Sequence, residues 1–181
     1  MDAKICCFTG HRQLSEADRA CIRRRLGAAL EALYTEGVRT FRAGGALGFD
    51  TLAALAVLAL RERRADARLA LFLPCRGQER YWPARDAALY REILARADEA
   101  AFCGERYFRG CMQARDRRLV DGSATCLCYL TRPAGGSAYT AAYAQKRGLR
   151  VVNLAQAPLP RRQGGQALSF SESPPSSWMR K

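Results

Sequence analysis

Three short segments combine residue types suited to holding an anion. Thr9-Gly10-His11-Arg12 sets a hydroxyl, a glycine, the chain's single histidine and a guanidinium side by side. Gly44-Gly45-Ala46-Leu47-Gly48-Phe49-Asp50 places three glycines ahead of a carboxylate, and Gly135-Gly136-Ser137 repeats the glycine pattern in shorter form. Glycine has no Cβ, so backbone amides can approach a phosphate closely. A helix that begins just after such a turn adds unpaired N–H groups and the positive end of its dipole. One such loop in isolation is explained as a tight strand-to-helix turn, whereas two of them together with Gly-His-Arg point to a cleft for a phosphate-bearing ligand. The pattern is neither Gly-x-x-x-x-Gly-Lys-Ser/Thr nor Gly-x-Gly-x-x-Gly, and it requires no bound cofactor.

Further polar residues are candidates, each with a plainer alternative. His11 follows a strand and is read as a ligand contact, the alternative being a helix-start residue. Arg115 and Arg118 stand three apart on one helical stretch, so that one of them can reach a phosphate bidentately; a solvated arginine face is the alternative for Arg117 and Arg118. Asp50 either interacts with the free amides at its helix start or bonds a ribose hydroxyl, and Trp82 either stacks on a base or packs under a loop. Glu79 is a second loop carboxylate. No residue is assigned a catalytic role. Eight cysteines are present, none with the local spacing of a zinc site, so no metal is expected.

These segments need elements to position them, and the periodicity of apolar residues supplies them. A strand is predicted over 4–8, and Ser15-Glu16-Ala17-Asp18 has the form of a capping box opening a helix that Gly37 stops. A strand over 38–43 and a helix from Asp50 to about Arg63 follow. Then come a strand over 68–73 ending at Pro74, a helix opened by Pro83 and running to about Ala97, and a strand over 99–103. The series closes with a helix over 108–121, a strand over 124–130, a helix ending near Gly148 and a strand over 149–154. This alternation means a mostly parallel sheet with right-handed crossovers: an α/β fold, a Rossmann-like three-layer α/β/α sandwich. All three anion-suited segments then lie at the carboxyl ends of strands, where open parallel sheets bind ligands. The helix after Asp50 is apolar nearly all round, and Leu52, Leu55, Ala56, Leu58 and Ala59 lead to the expectation of a homodimer contact.

At 181 residues the chain is the size of one domain. The expected division is a nucleotide-binding domain over 1–154 and a flexible basic tail over 155–181, where periodicity gives way to Gly, Ser and Pro. Hydrophobic residues at 49% and charged residues at 26% exclude a wholly disordered or fibrous chain. The net charge is +13, and all but three of the 30 basic residues are arginine. A compositional bias accounts for that as readily as an anionic partner, and because the arginines are dispersed the expectation is only weak, non-specific nucleic-acid binding. The start lacks the basic, apolar and small-residue sequence of a signal peptide, and the longest apolar run, Leu52 to Leu60, is half of a membrane span. A cytoplasmic setting is expected, with reduced cysteines acting as small core residues and no membrane partner.

Taken together, Cys7-Phe8-Thr9-Gly10-His11-Arg12, the 44–50 segment, Pro74 with Gln78-Glu79-Arg80-Tyr81-Trp82, Arg115 with Val120-Asp121, and Gly136-Ser137 resemble the YpsA-type proteins of the SLOG superfamily. The resemblance spans about residues 4–154. That superfamily also includes the DNA-processing DprA proteins and the LOG phosphoribohydrolases. The resemblance implies a Rossmann-like domain whose glycine-rich rim binds or senses a nucleotide or nucleotide derivative. The expected ligand-binding set is Thr9, Gly10, His11, Arg12, Gly44, Gly45, Ala46, Gly48, Asp50, Glu79, Trp82, Arg115, Gly135, Gly136 and Ser137. LOG enzymes carry Pro-Gly-Gly-x-Gly-Thr-x-x-Glu, in which the glutamate takes part in cleaving nucleoside monophosphates. Here Ala138, Tyr139 and Ala142 stand at the third glycine, the threonine and the glutamate. An activity of that kind would need Asp50 or Glu79 as a replacement. DprA-like binding of single-stranded nucleic acid is the other alternative, although no helix-turn-helix or zinc-finger motif is present.

Overall fold

A computed structural model describes residues 4–156; the expected tail, with Phe170 and Trp178, falls outside them apart from Ala155 and Gln156. The chain alternates strictly between strand and helix. Its elements are β1 (Lys4–Gly10), α1 (Glu16–Thr35), β2 (Val38–Ala43), α2 (Phe49–Arg61), β3 (Arg68–Leu73), α3 (Ala84–Arg96), β4 (Glu99–Phe102), α4 (Cys111–Val120), β5 (Thr125–Tyr129), α5 (Gly136–Lys146) and β6 (Arg150–Asn153). All strand pairs are parallel, in the order β4-β3-β2-β1-β5-β6. The α/β, Rossmann-like reading of the sequence therefore holds.

The period of two along each strand divides the buried residues between two layers. Cys6, Phe8, Leu69, Leu71, Leu73, Leu127 and Tyr129 face a core shared with α1, α2 and α3. Cys7, Ala70, Phe72, Cys126 and Cys128 face a second core under α4 and α5. The chain builds outward from β1 through β2 and β3 to β4. It then returns over the opposite face to place β5 on the other side of β1. This reversal between β1 and β5 is the topological switch point, where the loops leaving adjacent strands diverge and open a crevice.

Phe49, the first residue of α2, plugs the first core beneath that crevice. It is fully buried, edge-on to Phe8 at 6.4 Å and stacked with Tyr129 at 6.2 Å between ring centres. The rest of α2 lies between α1 and α3, which explains its apolar character within the chain itself. Leu58 is buried, Leu52, Leu55 and Ala56 are half-buried against the same core, and of the residues behind the homodimer expectation only Ala59 is exposed.

Most boundaries shift by a residue or two, and the largest shifts, at the end of β1 and the start of α4, have local reasons. β1 runs on to Gly10 because Thr9 and Gly10 pair with Cys128 and Tyr129 of β5. α4 begins at Cys111 because Gly110, with φ 91°, takes the left-handed backbone just before it. The capping box forms as read: the Ser15 hydroxyl accepts from the Asp18 amide at 3.1 Å, and Asp18 Oδ2 accepts from the Ser15 amide at 2.9 Å. All eight cysteines are free, and six of them are buried. Among the described residues no cluster could hold a metal ion, and no helix is long and apolar enough to cross a membrane.

Candidate functional site

The switch point opens into a cleft of about 400 Å³, within the usual span for small-molecule sites. Thr9, Gly10, His11 and Arg12 come to it from the end of β1, and Ala46 and Asp50 from the start of α2. From α4 come Met112, Arg115, Asp116 and Leu119. Arg132, Gly135, Gly136, Ser137 and Thr140 close the remaining side. Three strand ends and two helix starts thus converge on one space.

The 44–50 loop is turned largely onto itself. Asp50 Oδ2 accepts from the amides of Gly44 at 3.1 Å and Ala46 at 3.4 Å, and the Phe49 amide donates to the His11 carbonyl at 3.1 Å. Those amides are therefore occupied by the chain's own acceptors instead of facing a phosphate. The glycines here serve close packing. A Cβ at Gly44 would fall on the Arg115 guanidinium, one at Gly45 would meet Leu73, and one at Gly48 would strike the carbonyls of His11 and Arg12.

The start of α5 is arranged in the opposite way. Gly135 has φ 100°, no side chain caps the helix, and a Cβ on either Gly135 or Gly136 would meet nothing within 4 Å. The first-turn amides have no partner within a helix, and Gly135, Gly136 and Ser137 line the cleft. Ser137 ties this turn to β1, its hydroxyl donating to the Gly10 carbonyl at 2.6 Å.

Arg115 is the electrostatic centre. It is only 6% exposed, and its Nη1 lies 3.6 Å from Asp50 Oδ2. Its Nε lies 2.9 Å from Asp116 Oδ1 but off the axis that a hydrogen bond needs, so the buried Nε–H has no partner. Burial pushes the carboxyls of Asp50 and Asp116 above their ordinary range, with Arg115 pulling both back. Arg12 and Arg132 add exposed positive charge along the same cleft.

His11 is buried and works within the chain. Its Nε2 accepts from the Thr131 amide at 3.0 Å, which fixes the ring and leaves the proton on Nδ1. Burial, then the nearby Arg132 charge, lower its pKa against the opposing pull of Asp18.

Of the expected residues Gly44, Gly45 and Gly48 do not line the cleft, and Glu79 and Trp82 lie away from it. Glu79 pairs with Arg91 of α3 at 3.4 Å, and Trp82 is edge-on to Tyr90 at 5.4 Å between ring centres. The loop after β3 is tied to the 44–50 loop by Gln78 Nε2 donating to the Gly45 carbonyl at 3.0 Å and to α3 by the Glu79–Arg91 pair, and Trp82 packs against the first core. Asp116, Arg132 and Thr140 line the cleft without having been singled out. Asp116 adjoins Arg115 in the chain and Thr140 is one turn beyond Gly136, so helical spacing from the recognised residues was the available signal. Ala138, Ala141 and Ala142 line a separate groove between α5 and β6.

Comparison with known proteins places this geometry in context. The family model YpsA, of the YspA SLOG family, matches residues 6–152. The UPF0398 protein YpsA of Bacillus subtilis (strain 168) is 27% identical over 154 residues, covering 80% of this chain and 86% of that protein. Among solved structures, DNA processing protein A from Streptococcus pneumoniae superposes with a TM-score of 0.60 at 17% identity, covering 82% of this chain and 49% of that one. DNA processing protein A from Helicobacter pylori, described for its single-stranded DNA binding mode, gives 0.59 at 21% identity, covering 82% and 63%. This chain spans less than two thirds of either, and at these identities the likeness is one of fold.

The lowered pKa of His11 has a stability consequence with a definite sign. A histidine that is harder to protonate when folded supports the fold fully above its unfolded pKa of about 6.5 and loses that support as the pH falls through its lower folded value. His11→Gln keeps an acceptor for Thr131 and cannot titrate. Urea unfolding of both proteins between pH 7.5 and 5 is expected to show wild type losing stability relative to the variant below about pH 6.5. Parallel curves would show that His11 is not the titrating group.

Proposed function

The chain belongs to the YspA SLOG family, and on that footing we propose that it binds a nucleotide or nucleotide-derived anion in the cleft between β1 and β5. The observation that carries this reading is the uncapped start of α5, opening on the same space as a buried arginine whose Nε–H has no partner. Helix starts favour phosphate through free amides and dipole together, and arginine adds a charge-assisted donor. Arg12 and Arg132 supply the long-range attraction that draws an anion to the opening.

Binding and sensing are favoured over turnover. Asp50 is committed to the loop amides, Glu79 is paired outside the cleft, and Ala142 faces another groove, so none of the three stands as a ready acid for glycosidic cleavage. Incubation with nucleoside 5'-monophosphates is expected to release free base no faster than buffer, as followed by chromatography.

Titration calorimetry with adenine and guanine mononucleotides and ADP-ribose tests the binding itself. Gly136→Val is the informative variant, because a Cβ there meets nothing in the protein and the residue lines the cleft. It is expected to keep the wild-type melting temperature and to weaken binding by roughly tenfold or more. Absence of any signal across the panel at millimolar concentration would overturn the reading.

A second reading, single-stranded nucleic acid, is favoured by one observation. Tyr81 is 89% exposed and Tyr107 70%, and they stand among the exposed Arg76, Arg80, Arg106 and Arg109 on loops at the same edge of the sheet as the cleft. Aromatic faces among arginines suit stacked bases and a phosphate backbone. The H. pylori protein of like fold is described as binding single-stranded DNA. Weak binding that fades near physiological salt is expected; tight binding that survives such salt and falls at least tenfold in a Tyr81→Ala, Tyr107→Ala double variant would make this the leading function.

A further inference from the structure

Resting on the nucleotide reading, we propose that Asp116 makes the cleft selective for a ribose-bearing ligand: its carboxylate accepts a hydrogen bond from a sugar hydroxyl, so that ribonucleotides bind in preference to their deoxy forms. The two ends of the cleft have opposite chemistry. At the start of α5 it offers donors, while on the α4 wall, beside the Arg115 guanidinium, it presents the carboxylate of Asp116 as an acceptor. A ligand filling both must therefore carry an anion at one end and an O–H or N–H donor close to it.

The distance between the two points to the sugar. The Thr140 hydroxyl donates to the Gly136 carbonyl at 3.0 Å, which places Thr140 one turn from the start of α5, and Thr140 adjoins Asp116. Asp116 therefore stands about one helical turn, ~5.4 Å, and one side-chain contact from the start of α5, a reach that matches a pentose following a bound phosphate. A group that near a 5'-phosphate is the ribose.

Asp116 is also free to act in this way, in contrast to the other buried acid. Asp50 Oδ2 is taken up by two loop amides, whereas Asp116 has only the off-axis Arg115 Nε and the nearby Thr140 hydroxyl beside its carboxylate. Arg115 Nε, the closest cation, is off axis, and the proton of Thr140 goes to Gly136. The Asp116 side chain keeps 13% of its surface exposed where it lines the cleft, enough for a lone pair to meet a ligand. A site that hydrogen-bonds a hydroxyl rejects the analogue lacking it, because the buried acceptor is then left without a partner.

Calorimetry on the full chain with adenosine and guanosine 5'-monophosphates, their 2'-deoxy and 3'-deoxy forms, and pyrophosphate tests the proposal. Wild type is expected to prefer a ribonucleotide over at least one deoxy form by roughly tenfold or more. Asp116→Ala should bring the ribonucleotide down to the deoxy level while pyrophosphate binding is retained. Asp116→Asn keeps the shape of the side chain and an acceptor oxygen, and provides an intermediate preference should the alanine variant fold poorly. Ribonucleotides and deoxynucleotides binding wild type alike would overturn the role of Asp116 and leave the nucleotide reading standing. An undiminished preference in folded Asp116→Ala and Asp116→Asn would do the same. No binding by any of the nucleotides would overturn both.

Discussion

The arrangement of the cleft depends on one buried contact, the approach of Arg115 to Asp50 over the backbone of Gly44. α2 belongs to one layer of the sandwich and α4 to the other, and the sheet keeps them apart along its whole length. Only above its carboxyl edge can residues from both layers meet, and these two do. Burying two charges incurs a large desolvation cost, so the pair contributes little net stability, yet loss of either partner would strand the other at a cost of about 3–5 kcal/mol. Asp50 also gathers the amides of Gly44 and Ala46, so the loop, the head of α2 and α4 are held as one unit. A residue larger than glycine at position 44 has no room beside the guanidinium.

The layers were legible from the sequence, and the reason is visible in particular residues. Alternate positions such as Leu71 and Phe72, or Cys126 and Leu127, fall on opposite faces because a strand repeats every two residues, and nothing long-range is needed to see it. Ser15 and Asp18 form their cap within four residues, which is also local information. What the loops do was less legible. The glycines at 44–48 and at 135–136 read alike in one dimension, but Asp50 folds back onto the first group while nothing covers the second. That distinction rests on Arg115, some 70 residues downstream of Gly44 by the numbering. Trp82 and Glu79 were misplaced for the same reason: which neighbour a loop leans on is decided by tertiary packing with Tyr90 and Arg91. Asp116 was overshadowed by the arginine beside it.

The large positive charge also changes meaning once the arginines have addresses. Arg42 donates to the Asp121 carbonyl at 2.7 Å, beyond the end of α4, and lies over the Phe72 ring at 4.9 Å. Arg39 covers Tyr34 at 4.0 Å while pairing with Asp66 at 2.8 Å, and Arg61 holds Asp98 at 2.8 Å. These guanidinium groups finish helix ends and shield aromatic faces, using their flat shape as much as their charge. These arginines are therefore architectural, and among those that line the cleft Arg12 and Arg132 are exposed.

The two walls of the cleft are fastened to each other before any ligand arrives. Ser137 bonds to Gly10, His11 receives the Thr131 amide, and Thr9 and Gly10 are themselves paired into the sheet beside β5. The floor of the opening is consequently set by the spacing of adjacent strands. Its entropy of ordering is settled during folding instead of at the moment of encounter. On the proposed function, related ligands meeting walls already joined in this way should differ in how long they stay more than in how fast they come.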